Sequence, residues 1–320
     1  MTADVKTIRD IFIEEIYRRM YDNDEILFLS ADFGAPKLDI LREKFPDRFV
    51  NVGIAEQNLV NVATGLALEG YCIFAYAIAP FLTMRAYEQI RVNLSLQAQI
   101  RDLNVNLIGV GAGLSYDVSG PTHHCLEDLS IMRTLPNMVV FSPSDWMLAH
   151  KFVEYSIDVK KPKYLRFDGK PVSQIYQNLN DISIDTGFFE LHEGKTICLI
   201  STGNMTHKAI NIAKRCADEG ISIGVIDVFL LKPFKERIFY EIIKKYDIVI
   251  SLEEGFINKG GLDSLISTIL DSNNSDIRLF RMGFDDKYVF EIGNRDYLHK
   301  LCSLDDDCII VKIKKLIKEF

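Results

Sequence analysis

The chain has no long apolar run, no paired cysteines and no excess of positive charge, and each absence closes off a class of function. Its longest apolar stretch, YCIFAYAIAPFL (71–82), contains Pro80 and falls well short of the roughly 20 residues a membrane helix needs. The six cysteines (Cys72, Cys125, Cys198, Cys216, Cys302 and Cys308) are scattered, with no CxxC pair and no metal-ligand spacing. That usage fits reduced thiols in a cytosol. Lys and Arg number 37 against 45 Asp and Glu, a formal net charge of −8. A broad nucleic-acid-binding surface is therefore not expected, although local basic pockets for phosphate remain compatible with that balance. The first residues, MTADVKTIRD, are charged and form no apolar signal region. The expectation is a soluble cytoplasmic protein whose partners are neither membrane nor nucleic acid.

What is present is ordinary globular composition, 48% hydrophobic and 26% charged, in 320 residues, a length that suits two domains of about 150 residues each. Short β-branched or aromatic runs predict strands over 25–32, 48–53, 71–79, 105–111, 137–143 and 163–167. Helical patterns lie between them at 8–20, 56–70 and 81–94. In the last, Phe81, Met84, Tyr87, Ile90 and Leu94 recur at three- and four-residue spacing, as one buried face would. The polar stretch 168–187 reads as a linker. A second alternation follows, with strands at 196–203, 221–229, 247–254 and 277–284, helices at 205–220 and 260–270, and a basic amphipathic helix at 309–320. Such alternation predicts mainly parallel sheets covered by helices, an α/β fold in two domains, 1–178 and 186–320.

Two segments carry chemistry. In NVGIAEQNLVNVATGL (51–66) a single carboxylate, Glu56, opens a helix where Asn or Ser would serve equally well. Either it faces water in a first turn, as most such glutamates do, or it is an acid kept out of water for a purpose. In GVGAGLSYDVSGPTHHCLEDLSIMRTLPNMVVFSPSD (109–145) a glycine-rich loop follows a strand, and GPTHH leads into a helix. Loops at the carboxyl ends of parallel strands are where ligands bind in such sheets. His123 and His124 sit on one, and imidazole can carry protons near neutral pH.

NVGIAEQN, PFLTMRAYEQIR (80–91), SGPTHHCLEDLSIMRTLPNMVV (119–140) and SPSD, in that order, resemble the pyrimidine-binding domain of the transketolase family of thiamine-diphosphate enzymes. Residues 196–284, including SLEEGFINKGGLDSLI, are similar to that family's C-terminal domain. GIAEQ is shared by several thiamine-diphosphate families. GPTHH followed by EDL and LPN is narrower: it points to transketolase or 1-deoxyxylulose-5-phosphate synthase, and away from the β subunits of 2-oxo acid dehydrogenases.

The resemblance implies two doubly wound domains and assigns roles. Glu56 would bind the ring nitrogen of the aminopyrimidine and favour its imino tautomer, through which the thiazolium becomes a nucleophile and electron sink. Burial beside Ile54, Leu59 and Val60 would disfavour the anion more than the helix N-terminus favours it. Phe81, with Leu82 as its rival, would stack on the pyrimidine. Arg85 and Tyr87 would border the ring or a dimer contact, and Asp32 in SADFGAP would lie near the cofactor. His123 would stand beside the reacting substrate carbons. Arg166 and Arg9 would anchor substrate phosphate, a task suited to the planar guanidinium fork.

The sequence also departs from the family pattern. Ser119 stands where transketolases carry an aspartate just before GPTH, with Asp117 nearby as a substitute. A family histidine on the preceding loop is glycine or alanine in GVGAG. The GDG motif that binds Mg²⁺ with a later Asn is missing, FDGK (167–170) being the nearest string. The resemblance therefore implies the C-terminal subunit of a split transketolase. An N-terminal partner subunit would hold Mg²⁺ and the diphosphate of thiamine diphosphate, in an α₂β₂ assembly acting on sugar phosphates. The rival readings are a synthase-like decarboxylating ligase, a dehydrogenase β subunit and a non-catalytic stabilising subunit.

Overall fold

The computed structural model of the chain describes residues 4–180 and 182–319. Residues 1–3, Asp181 in the expected linker and Phe320 at the end of the expected last helix lie outside the described residues. Strands of the first half are β1 (Val5–Lys6), β2 (Ile26–Ser30), β3 (Phe49–Asn51), β4 (Cys72–Ile78), β5 (Val105–Val110), β6 (Val139–Phe141), β7 (Lys163–Phe167) and β8 (Val172–Ser173). Those of the second are β9 (Phe188–His192), β10 (Ile197–Ser201), β11 (Ile223–Val228), β12 (Leu230–Lys232), β13 (Ile248–Phe256) and β14 (Arg278–Phe284).

One sheet runs β12-β6-β7-β5-β4-β2-β3 and the other β14-β13-β10-β11-β9. Their central strands are parallel, and β12 and β9 are antiparallel edges. Every residue of β2, β5 and β7 is buried, as expected of strands covered by helices on both faces. The fold is thus the expected pair of α/β sheets. Among the described residues, no helix is long and apolar enough to cross a membrane.

Differences from the sequence expectation include the linker and two further features. The first is β12. It follows directly on a second-half strand, yet it pairs with β6 of the first sheet, because Leu230 and Leu231 are buried there and the Lys232 ammonium donates to the carbonyls of Arg133 and Leu135. The linker is also less plain than expected, since β8 within it pairs with β1.

The second is the segment after β4. It winds into wide π-type turns at Phe81–Arg85 and Ile90–Leu96, around a short α turn at Tyr87–Gln89. Wider turns shift the buried stripe to a four-residue period: Leu82, Ala86, Ile90 and Leu94 are fully buried. Met84, placed on the buried face by α-helical spacing, is 40% exposed. Such turns occur frequently at functional sites, and this one leaves Phe81 and Arg85 outside the core.

The two halves are joined by buried polar groups. Asp227 of β11 accepts hydrogen bonds from the hydroxyls of Ser144, Tyr176 and Thr206. Asp145 of the SPSD turn caps helix Trp146–Asp158 through the Leu148 N–H and also accepts from the N–H groups of Ile175 and Tyr176. Burial pushes the Asp227 carboxyl from 3.8 up to about 6, against the three hydroxyl donors. Because the folded form holds this proton more tightly than the unfolded chain, the stability it brings is full below the unfolded value and fades as pH rises through about 6. Asp227→Asn should accordingly flatten the fall in urea-unfolding midpoint between about pH 4 and pH 7. A variant curve parallel to that of the natural chain would mean that Asp227 does not bind this proton.

Candidate active site

Glu56 is the first residue of helix Glu56–Leu68, where Ala55 supplies no side-chain cap. It is only 3% exposed. Leu59 and Val60 are buried as expected, but Ile54 is 75% exposed and does not wall the acid in. Arg85 donates from Nη1 to Glu56 Oε2 at 2.7 Å. Among the described residues, Oε1 accepts no hydrogen bond. The Arg85 guanidinium carbon lies 4.8 Å from the centre of the Phe81 ring, and that ring meets the His123 imidazole edge-on at 5.2 Å. Glu56, Arg85, Phe81 and His123 thus form one contiguous row. Leu82, the rival of Phe81, is fully buried in the core and offers no open face.

The row lies where β3, β4 and β5 end, the expected rim of a parallel sheet. Asp32, at φ 53°, accepts from Asn51 Nδ2 at 2.7 Å, and Asn51 in turn accepts from the Gly53 N–H at 2.9 Å. Asp32 therefore braces the turn that delivers Glu56. His123 is half-buried, with Nδ1 3.0 Å from the Thr122 hydroxyl. His124, by contrast, is buried, with Nε2 near the Asp117 carbonyl.

Behind the His123 loop is a charge network that the sequence reading did not find. Glu254, at the end of β13, accepts from the Leu114 N–H at 3.1 Å and pairs with His299 Nε2 at 2.7 Å. Arg295 bridges Glu254 and Asp168, and its backbone N–H donates to Asp117 at 2.7 Å. Burial opposes the Glu254 anion, but the Arg295 charge and the His299 hydrogen bond prevail and hold it well below the usual carboxylate range. The signal available was the doubled acid in SLEEG (251–255), at the end of a mostly apolar strand. Gly113 of GVGAG belongs to the same contact: a Cβ there would lie 1.9 Å from Glu254 Oε2, at φ +57°. A carboxylate of the second half fills the space that any side chain at 113 would need.

This network bears on two expectations. Asp117 is buried, and its carboxylate already accepts from Lys170, the Arg295 N–H and the Val118 N–H. It cannot substitute for an aspartate at exposed Ser119. Arg166 is 3% exposed. Its Nε donates to Asp128 at 2.8 Å and its Nη2 to the Glu254 carbonyl at 2.9 Å, while Tyr164 donates to the same Asp128 oxygen. Arg166 is a brace between the halves. Arg9 remains half-buried, with Nε on Asp10 at 2.8 Å, and Lys37 pairs with Glu14 at 3.1 Å.

Comparison with known proteins gives the geometry its family. Residues 4–171 match the model for the transketolase pyrimidine-binding domain, and residues 189–309 match that for the transketolase C-terminal domain. The chain belongs to the transketolase family. It is 32% identical, over 96% of its length and 97% of the relative's, to a protein of Actinobacillus succinogenes named as one subunit of an apulose-4-phosphate transketolase. It is also 32% identical, over 94% of its length and 92% of the relative's, to a putative transketolase C-terminal section of Methanocaldococcus jannaschii. A solved structure described as a split gene transketolase, inactive beta4 tetramer, is similar at a TM-score of 0.85 and 31% identity, covering 97% of each chain. Membership in this family implies dependence on thiamine diphosphate. The residues present fit the pyrimidine end of that cofactor: a buried carboxyl with one oxygen uncommitted, beside a partly open aromatic face.

If Arg166 is a brace, Arg166→Met leaves Asp128 buried without its cation and should cost about 3–5 kcal/mol in denaturant unfolding. A variant of unchanged stability with only a raised KM would restore the phosphate-clamp role.

Proposed function

We propose that this chain is the pyrimidine-binding, C-terminal subunit of a two-chain transketolase that depends on thiamine diphosphate and Mg²⁺. Its reaction is the transfer of a two-carbon ketol unit between sugar phosphates. The observation that carries this reading is the row Glu56–Arg85–Phe81–His123 at the sheet rim, with a desolvated acid at one end and a half-open imidazole at the other.

When bound, the cofactor supplies the carbon nucleophile and electron sink that no side chain can provide. Glu56 would hold a proton at its buried carboxyl, facing a ring nitrogen of the pyrimidine. Phe81 orients the ring by stacking, and Asp32 fixes the turn on which Glu56 depends. His123, steadied by Thr122, moves a proton at the substrate oxygens. Arg9 remains the candidate for the substrate phosphate, being half-buried and, among the described residues, ion-paired with Asp10 alone. The Mg²⁺ ligands and the grip on the diphosphate belong to an N-terminal partner subunit in an α₂β₂ assembly. The absence of a GDG motif from this chain and the naming of its relative as one subunit support that division.

One observation favours a second reading. Ser119 is exposed and Asp117 is fully engaged, so no carboxylate stands where transketolases read the donor hydroxyl. A decarboxylating ligase related to 1-deoxyxylulose-5-phosphate synthase would not need one there. Pyruvate-dependent CO₂ release by the reconstituted pair would select it, whereas ketol transfer without CO₂ selects the transketolase.

Glu56→Ala should lower turnover of the reconstituted complex by at least about 10²-fold, the lower range for loss of a general acid–base group, without changing assembly on a sizing column. Near-normal turnover would remove Glu56 from the chemistry.

A further inference from the structure

We propose that Arg85 occupies the pyrimidine subsite as an internal stand-in for the cofactor and has to swing out for the cofactor to bind. The inference rests on the assignment of Glu56 and Phe81 to that subsite. It differs from the expectation that Arg85 is a cofactor ligand, because it gives the residue the opposite effect on affinity.

The geometry makes the case. An aminopyrimidine presents a flat π face and a nitrogen edge that bonds to a carboxyl. The Arg85 guanidinium presents the same two features: it lies over the Phe81 ring with Cζ 4.8 Å from the centroid, and its Nη1 meets Glu56 Oε2 at 2.7 Å. A planar, delocalised cation that stacks on an aromatic ring while bonding to a carboxylate is characteristic of arginine and beyond the reach of lysine. The two partners Arg85 engages are thus those the cofactor ring needs.

The need for such a group follows from burial. Glu56 is 3% exposed, and an unpaired buried carboxylate is costly. Arg85 is the cation that offsets it. The side chain is also free to leave: Arg85 is 48% exposed, whereas Glu56 is held at 4%. It sits at the end of the π turn Phe81–Arg85, whose buried anchors are Leu82 and Thr83, so displacement of Arg85 breaks no core contact. A site that is competent only part of the time has an apparent affinity reduced by that fraction. A stand-in engaged nine-tenths of the time weakens binding about tenfold.

The test is the thiamine diphosphate dissociation constant of the complex with its N-terminal subunit at saturating Mg²⁺, measured by calorimetric titration. Arg85→Met keeps the aliphatic stem, and Arg85→Gln is a second variant in case the first folds poorly. Either should bind the cofactor about tenfold more tightly, and crystals of the loaded complex should show Arg85 away from Glu56. Unchanged or weaker binding in both variants would overturn the proposal, as would an Arg85–Glu56 pair that persists in the loaded site. Glu56→Gln separates this failure from that of the underlying assignment. If Glu56 lies in the subsite, this variant weakens cofactor binding whatever Arg85 does; if its affinity is unchanged, the subsite lies elsewhere and both readings fall.

Discussion

The position of the candidate site depends on the ion network centred on Glu254. Two parallel sheets meet with their strand ends facing across a shared interface, and the loops that emerge there have backbone groups that water cannot reach. Glu254 satisfies the Leu114 N–H, Arg295 joins it to Asp168 and Asp117, and Arg166 ties Asp128 to the Glu254 carbonyl. Replacing such a network with apolar residues would not necessarily lower stability, because desolvation of the charges consumes most of their attraction. What apolar residues would lose is direction. Charges with defined partners on both sides fix one arrangement of the two domains, and that arrangement sets the geometry of the His123 loop.

The placement of His123 therefore depends on contacts far from it along the chain. The loop from Gly111 to Cys125 is pinned to Phe167 through the Gly111 and Ala112 N–H groups and closed on itself by paired bonds between Gly113 and Cys125. His123 inherits its place from this frame. Gly113 has to lack a side chain for Glu254 to approach, so the altered GVGAG loop serves the domain contact. In the sequence this loop stands out for lacking a family histidine; in the fold its glycine makes room for the domain contact.

Much of the fold was legible because parallel α/β sheets announce themselves through apolar runs between amphipathic ones. KYLRF was placed as a strand to the residue. That its Lys163 and Arg166 are buried could not be read, since neither composition nor period shows which charges find partners. Burial pushes the Lys163 amine down to about 7, where Asn104 and two carbonyls hold it. Motif order pointed to Glu56, Phe81 and His123, and the fold brings them into one row at the rim. The Glu254 network was not, because its members lie more than 80 residues apart in pairs such as Arg295 with Asp168. The misplacement of Met84 has a local cause: an α-helical period was applied to turns wound more widely.

Those wide turns complete the physical account of the rim. A regular α-helix after β4 would present one buried stripe at a 3.6-residue period. The π turns keep Leu82, Ala86, Ile90 and Leu94 in the core, and full burial of a leucine or isoleucine is worth about 1.5–3 kcal/mol. That gain offsets the poorer backbone geometry of a widened turn. In return Phe81 and Arg85, four residues apart, stay stacked on each other at the edge of the core, one partly open and the other half in solvent. The rim thus combines two mechanical regimes. The His123 side is rigid because buried ions from both domains hold it. The Arg85 side is adjustable because its anchor is apolar and its charge reaches outward. On the proposed function, His123 would draw on the first regime and cofactor entry on the second, and the division falls along the boundary between the ion network and the π turn.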